Sequence, residues 1–289
     1  MSRRPDRFLS VRRLIRFAAL LLLPNAVRLP DDARAQAAAS REVLLATTTS
    51  LYDTGLLDTL RPRFEQATGY RLRVVAVGSG QALRMGERGD ADVLFAHSPA
   101  AEAAFMAAGH GTRRLVVAWN WFTVVGPPAD PAAVRAAADI GEALRRIARG
   151  GQVFVSRGDS SGTHVRELAL WQAAGGLPAW PRYLETGQGQ AATLLVADER
   201  RGYALTDRST LGALRTRLDL VPLRVREPAL INVYHVIEVS TAGRPRMNAA
   251  GAKAFADFMV SPDVQDLLER YGRERFGEAL FVPARGREP

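Results

Sequence analysis

From residue 41 onward the chain alternates between short β-branched runs and segments with helical spacing, and that alternation limits the fold more than any other feature. Val43 to Thr47 reads as a strand. Leu56, Leu57, Leu60 and Phe64 follow at helical spacing and stop at Thr68-Gly69. Arg71 to Val77 is a strand, Gly78-Ser79-Gly80 a turn, and Gln81 to Arg88 a short helix. Asp92 to Ala96 is a strand, and Ser98-Pro99 opens a helix through Met106. Arg114 to Val125 is a long strand. The pattern then repeats: helix 140–148, strand 153–156, helices 163–174 and 190–199, a strand end at 203–205 and a helix from Asp207 to about Arg215. A strand over 231–239 and helices over 248–259 and 262–271 close the chain. Such a βαβα series predicts an α/β fold with largely parallel sheets. The two long strands, 114–125 and 231–239, are the places where the chain could cross between two lobes.

Charge suggests nucleic acid at first sight, with a net +9 and Lys253 as the single lysine among 39 basic residues. Its location argues otherwise. Eight arginines and three aspartates in the first 35 residues account for +5 and leave +4 on the remainder. That opening stretch reads as a signal peptide over 1–35: a basic region, an apolar run from Phe17 to Leu23, and Ala33-Arg34-Ala35 as a cleavage site. The apolar run is too short for a bilayer span. Arg12-Arg13 leaves both general and twin-arginine export open. The expected product is an exported chain starting near Gln36, with no nucleic-acid role. With no cysteine, disulfides, thiolate metal sites and a lipidated cysteine anchor are excluded.

Four strand-to-helix junctions concentrate hydroxyls and glycines: Thr47-Thr48-Thr49-Ser50, Gly78-Ser79-Gly80, Ser156 to Thr163, and Leu205-Thr206-Asp207. Helix starts offer unpaired N–H groups and partial positive charge; glycine admits close approach and hydroxyls add donors. In an α/β sheet these junctions gather at the carboxyl ends of strands, where ligands bind. Capping alone also accounts for Ser50, Ser79 and Thr163, and Arg157 can pair with Asp159. The third loop, with one arginine, four hydroxyls and two glycines before an apolar helix, favours a ligand role. A nucleophilic Ser160 or Ser161 with His164 is a rival reading, but a triad needs an oriented base and a carboxylate behind it. His97, His110, His164 and His235 show no metal-ligand spacing, so a bound metal cation is not expected. Without a P-loop or dinucleotide pattern, an enzyme is the weaker class.

These same blocks resemble the tungstate-binding proteins of ABC transporters. The resemblance runs through Thr47-Thr48-Thr49-Ser50 with Tyr52-Asp53, Gly78-Ser79-Gly80-Gln81-Ala82-Leu83, Ala91-Asp92-Val93-Leu94, Asn120 to Pro127, Phe154 to His164, and Tyr203 to Arg208. It covers about 41–280. It implies a two-lobed type II periplasmic binding protein fold, each lobe a mostly parallel sheet flanked by helices, with lobe 1 at 41–119 and 236–289 and lobe 2 at 120–235. It implies an oxyanion held by Thr48, Ser50, Ser79, Arg157, Thr163 and Ser161. The expected role is capture of tungstate in the periplasm and delivery to the permease and ATPase subunits of an importer. Molybdate, sulfate or phosphate is the alternative ligand. A monomer without a cofactor is expected.

Elementary chemistry agrees with a deprotonated oxyanion. Tungstate and molybdate are dianions at neutral pH, so their site needs donors only. Phosphate keeps a proton near neutrality and gains from an acceptor carboxylate. In the first three loops Asp159 is the one carboxylate, and Arg157 can occupy it, leaving hydroxyls, N–H groups and a planar guanidinium for the ligand.

Overall fold

A computed structural model describes residues 41–289. The signal peptide read over 1–35 lies outside the described residues. Strand β1 (Glu42–Thr48) leads into a single turn, α1 (Thr49–Tyr52), then α2 (Leu56–Thr68), β2 (Arg71–Val77), α3 (Ser79–Arg88), β3 (Val93–Ala96), α4 (Pro99–Ala107) and β4 (Gly111–Gly126). Next come α5 (Ile140–Arg149), β5 (Phe154–Ser156), α6 (Gly162–Ala173), β6 (Tyr183–Glu185), α7 (Gln190–Glu199), β7 (Ala204–Asp207), α8 (Arg208–Leu214) and β8 (Val221–Arg224). The chain returns through β9 (Ile231–Val239) and ends in α9 (Ala249–Met259), α10 (Pro262–Arg270), α11 (Arg273–Phe276) and β10 (Val282–Pro283).

The first sheet runs β10-β4-β9-β3-β1-β2. Its strands β1, β3 and β9 are largely buried on both faces, as expected where helices cover each side, whereas the edge strand β2 is partly exposed. Along β1, Val43 and Leu45 face a core with Leu56, Leu60, Phe64, Phe255 and Leu268. Ala46 faces the opposite core, with Leu83, Leu94, Phe105 and Ile237. The second sheet is built on the far end of β4, where Phe122 and Val124 face a core with Ile140, Leu144, Phe154, Trp171 and Tyr203. Val125 and Val155 face the other side, against Leu194 and Leu220.

β4 belongs to both sheets. Gly111 to Trp121 pairs antiparallel with β9, whereas Phe122 to Val125 pairs with β7 and Val124 to Gly126 with β8. The sheets are therefore mixed rather than largely parallel. β1, β2 and β3 are mutually parallel, as are β5 and β6, but both crossing strands run antiparallel to their neighbours. The reason is topological, since a strand that leaves one sheet for another is not closed by a βαβ crossover. Three short strands escape the sequence pattern. β8 and β10 carry Pro222 and Pro283, which suit edges, and β6 has three residues in a stretch rich in proline and tryptophan.

Candidate oxyanion-binding site

Each hydroxyl-rich junction is shaped by its own helix start. Thr48 is extended and caps α1, its Oγ1 accepting from the Leu51 N–H at 3.3 Å. Ser50 Oγ lies 3.3 Å from Thr48 Oγ1 and 3.1 Å from Nε2 of His97. Ser79 is the buried first residue of α3. At the third junction Ser161 caps α6, accepting from the His164 N–H at 3.3 Å.

That third loop turns at Gly158 and Ser160, both with positive φ, and not at Gly162. A Cβ on Gly158 would stand 2.7 Å from Cβ of Glu185, so glycine is required there twice over. Gly162 is needed for a different reason. A Cβ on it would lie 2.9 Å from Ser79 Oγ, 3.1 Å from Ser98 Oγ and 3.3 Å from Cε1 of His97. The start of α6 is thus pressed against the ends of β2 and β3, and residues from both sheets meet at one point.

Arg157 is 4% exposed and its Nη2 donates to Asp159 Oδ2 at 2.5 Å. Burial pushes the Asp159 carboxyl up, but hydrogen bonds from Ser161 and the Arg157 charge outweigh it and hold it below the usual carboxylate range. Arg157 is buried in this pair and Asp159 partly so. The charge of Arg157 also acts on His97 and Asp53, so the guanidinium lies beside the first sheet's residues. Asp207, at the fourth junction, accepts from Thr210 N and Oγ1, each at 2.8 Å, and from the Ser209 hydroxyl. The junction carboxylates Asp159 and Asp207 are therefore already engaged by donors. Among the buried side-chain donors without a protein partner in the described residues are Ser98 Oγ, Arg157 Nε and Thr163 Oγ1, all on the loops that carry the candidate residues. An unpaired buried donor ordinarily costs about 1–3 kcal/mol, so a group of them at one place marks a site for acceptors.

Residues 33–263 match the profile of a PBP superfamily domain. The tungstate-binding protein TupA of Peptoclostridium acidaminophilum is 42% identical over 280 residues, covering 96% of this chain and 98% of its own. The chain belongs to the PBP superfamily and is a homologue of TupA. Two solved structures agree. The tungstate ABC transporter structure from Geobacter sulfurreducens has a TM-score of 0.73 at 41% identity, covering 80% of this chain and 98% of that one. TupA from Desulfovibrio alaskensis G20 gives the same TM-score and identity over 84% and 98%. The α/β periplasmic binding protein fold is thereby shown, and the chain is a binding protein of a transporter family, not an enzyme.

In this TupA homologue the serine-nucleophile reading also fails on geometry. The Ser160 N–H donates to Nδ1 of His164 at 3.0 Å, so that ring nitrogen faces backbone and not a hydroxyl. Ser161 Oγ is taken by the cap. Of the six residues read from sequence, Ser50 and Ser79 meet His97 and Gly162. Arg157 and Thr163 bring unpaired donors. Thr48 braces Ser50, and Ser161 spends its side chain on the cap and on Asp159.

Sequence reading missed His97 and Ser98. They form a fifth junction, between β3 and α4, with the same grammar as the others: a strand end, a hydroxyl, then Pro99 at the helix start. Asp53 was missed as well. Burial and the Asp207 charge push its carboxyl up, against the pull of Arg157. Among the described residues no group of His, Asp and Glu is arranged to hold a metal ion, and no helix is long and apolar enough to cross a membrane.

Proposed function

We propose that this chain is the exported, periplasmic solute-binding component of an ABC importer, and that it captures tungstate between the two sheets. The bound anion lies at the start of α6. Thr163 and Arg157 donate from one side, and Ser50, Ser79 and Ser98 from the other, with Thr48 and Ser161 bracing them. The observation that supports this reading is that Ser98 Oγ lies against Gly162 at the start of α6, while Thr163 Oγ1, one residue on, and Arg157 Nε, on the loop that leads into α6, are likewise buried donors without a protein partner. The names of the relatives, which bind tungstate, support the choice of anion. We take residues 41–119 with 236–289 as one lobe and 120–235 as the other, closing on the anion about β4 and β9. The closed form is what the permease and ATPase subunits receive.

Donors without free acceptors favour a fully deprotonated anion over one that keeps a proton. Asp159 and Asp207 are both engaged, so a hydrogen phosphate would find no buried carboxylate to accept from it. Molybdate shares the size and charge of tungstate and is the second ligand of the same site.

A melting-temperature panel tests the proposal. At about 100 times Kd a ligand stabilises the fold by roughly 2.7 kcal/mol, a rise of a few degrees. Tungstate should reach that shift at far lower concentration than sulfate or phosphate. Equal potency of phosphate would assign the site to another tetrahedral anion, with the exposed Asp53 as its acceptor.

A further inference from the structure

A chain of hydrogen bonds joins the crossing strands to the site and fixes the state of one buried histidine. Asn120 on β4 and Asn232 on β9 are paired in register. The Asn232 amide nitrogen donates to Asn120 Oδ1 at 2.9 Å and to the Tyr234 hydroxyl at 2.8 Å. Its Oδ1 is left to accept, and it lies 2.9 Å from Nδ1 of His97. The His97 proton therefore sits on Nδ1, and Nε2 presents a lone pair. Ser50 Oγ is 3.1 Å from that lone pair and donates to it. The Ser50 hydrogen thus points into the ring, while Thr48 Oγ1, 3.3 Å away, is its other neighbour. In this state Ser50 cannot donate to an anion, although the His97 ring it is bound to borders the Gly162 contact.

The surroundings of His97 favour its neutral form on balance, with opposing influences on both sides. Burial is the largest influence and pushes the imidazole pKa down. The charges of Asp207 on the α8 cap and Glu102 on α4, and the hydrogen bond to Asn232, push it up, while Arg157 opposes them. The Tyr234 and Phe122 rings pack at 5.0 and 6.4 Å and are neutral. Without further negative charge the ring stays neutral. A dianion beside it adds the missing term.

We propose that binding of the oxyanion is coupled to uptake of one proton by Nε2 of His97, which reverses the Ser50 hydrogen bond and turns the Ser50 hydroxyl onto the anion. This rests on the oxyanion reading of the site. The proton comes from solvent: neutral imidazole becomes imidazolium, Nε2–H donates to Ser50 Oγ, and Ser50 keeps its own hydrogen, now free to rotate to an anion oxygen. An acceptor becomes a donor, and one positive charge joins Arg157 opposite the dianion. Because protons are taken up on binding, affinity falls as pH rises, by up to about tenfold per unit between the free and bound His97 pKa values.

Calorimetry with sodium tungstate tests this at neutral pH in two buffers of different ionisation heat. The observed heats should differ by the buffer term for close to one proton, and His97→Gln, whose uncharged amide can donate to Ser50, should lose that difference and the fall in affinity with pH. ¹⁵N-histidine NMR reads the same event in the unaltered chain, with Nε2 of His97 passing from an unprotonated to a protonated shift on adding tungstate. Tungstate binding with equal heats in both buffers and a ring that stays neutral would overturn the coupling alone. No binding heat in any condition would overturn the oxyanion reading and the coupling with it.

Discussion

Arg157 brings the positive charge of the third loop, and its neighbours decide what its loss costs. Asp159 holds one end of the guanidinium while Nε remains unpaired in a buried setting. Truncation removes a donor fork from a water-excluded site and leaves Asp159 facing the anion without its counter-charge. Arg157→Ala should weaken tungstate binding by roughly 2–5 kcal/mol while the chain stays folded. Arg157→Lys keeps charge but not the planar fork, and should fall between. Calorimetry on folded mutants reads both, and parental affinity in Arg157→Ala would put that side chain outside the site. At this scale most of the proposed donor set is legible, because threonine and serine at strand ends followed by helical spacing have few other uses. His97 and Ser98 are not. Their junction has no glycine and no hydroxyl run, and a lone histidine after a buried strand looks like core.

At the scale of elements, α6 joins fold and ligand. Its first residue, Gly162, is a glycine for want of room: no positive φ is involved, only the hydroxyls of Ser79 and Ser98. Gly162→Ala therefore leaves the helix content intact and obstructs the approach of α6 to β2 and β3. Overpacking of this kind costs about 1–3 kcal/mol, so tungstate affinity should drop by about tenfold or more while far-UV circular dichroism is unchanged. Further along α6, Glu167 is 2% exposed and accepts from the Tyr183 hydroxyl at 2.7 Å. Burial pushes its carboxyl up to about 7 from 4.5, against the hydrogen bond from Tyr183. Folded chains then hold a proton that unfolded chains release. Stability is complete below the unfolded value and declines as pH rises through the folded one, by roughly 3 kcal/mol. Glu167→Gln should flatten that decline in denaturant titrations between about pH 5 and pH 8; an unchanged slope would show that Glu167 is ionised throughout. Helix positions followed from apolar spacing and caps, whereas β6, β8 and β10 did not, because two to four residues with prolines carry no period to read.

For the whole molecule, the long β4 and β9 matter most. The sequence reading located both stretches but could not tell how they pair, since pairing direction depends on which sheet a strand leaves and enters. Arg208 at the start of α8 also binds Glu278 near the C-terminal β10, across the proposed lobe boundary. Around it Gly212 lies against Phe276, where a Cβ would meet the ring at 3.4 Å. These surfaces are already in contact here, so opening about β4 and β9 in the absence of the anion should separate them, and small-angle scattering should show a smaller radius of gyration with tungstate than without. An unchanged radius at saturation would mean that the two sheets hold one arrangement in both states. The most direct measurement is a crystal structure with tungstate, because anomalous scattering from tungsten locates the anion without reference to any assumed contact. It should lie at the N-terminus of α6, with oxygens within hydrogen-bonding distance of Thr163 Oγ1, Arg157 and the hydroxyls of Ser79 and Ser98. A tungsten peak elsewhere on the molecule, with Ser98, Arg157 and Thr163 still unpaired, would contradict the account.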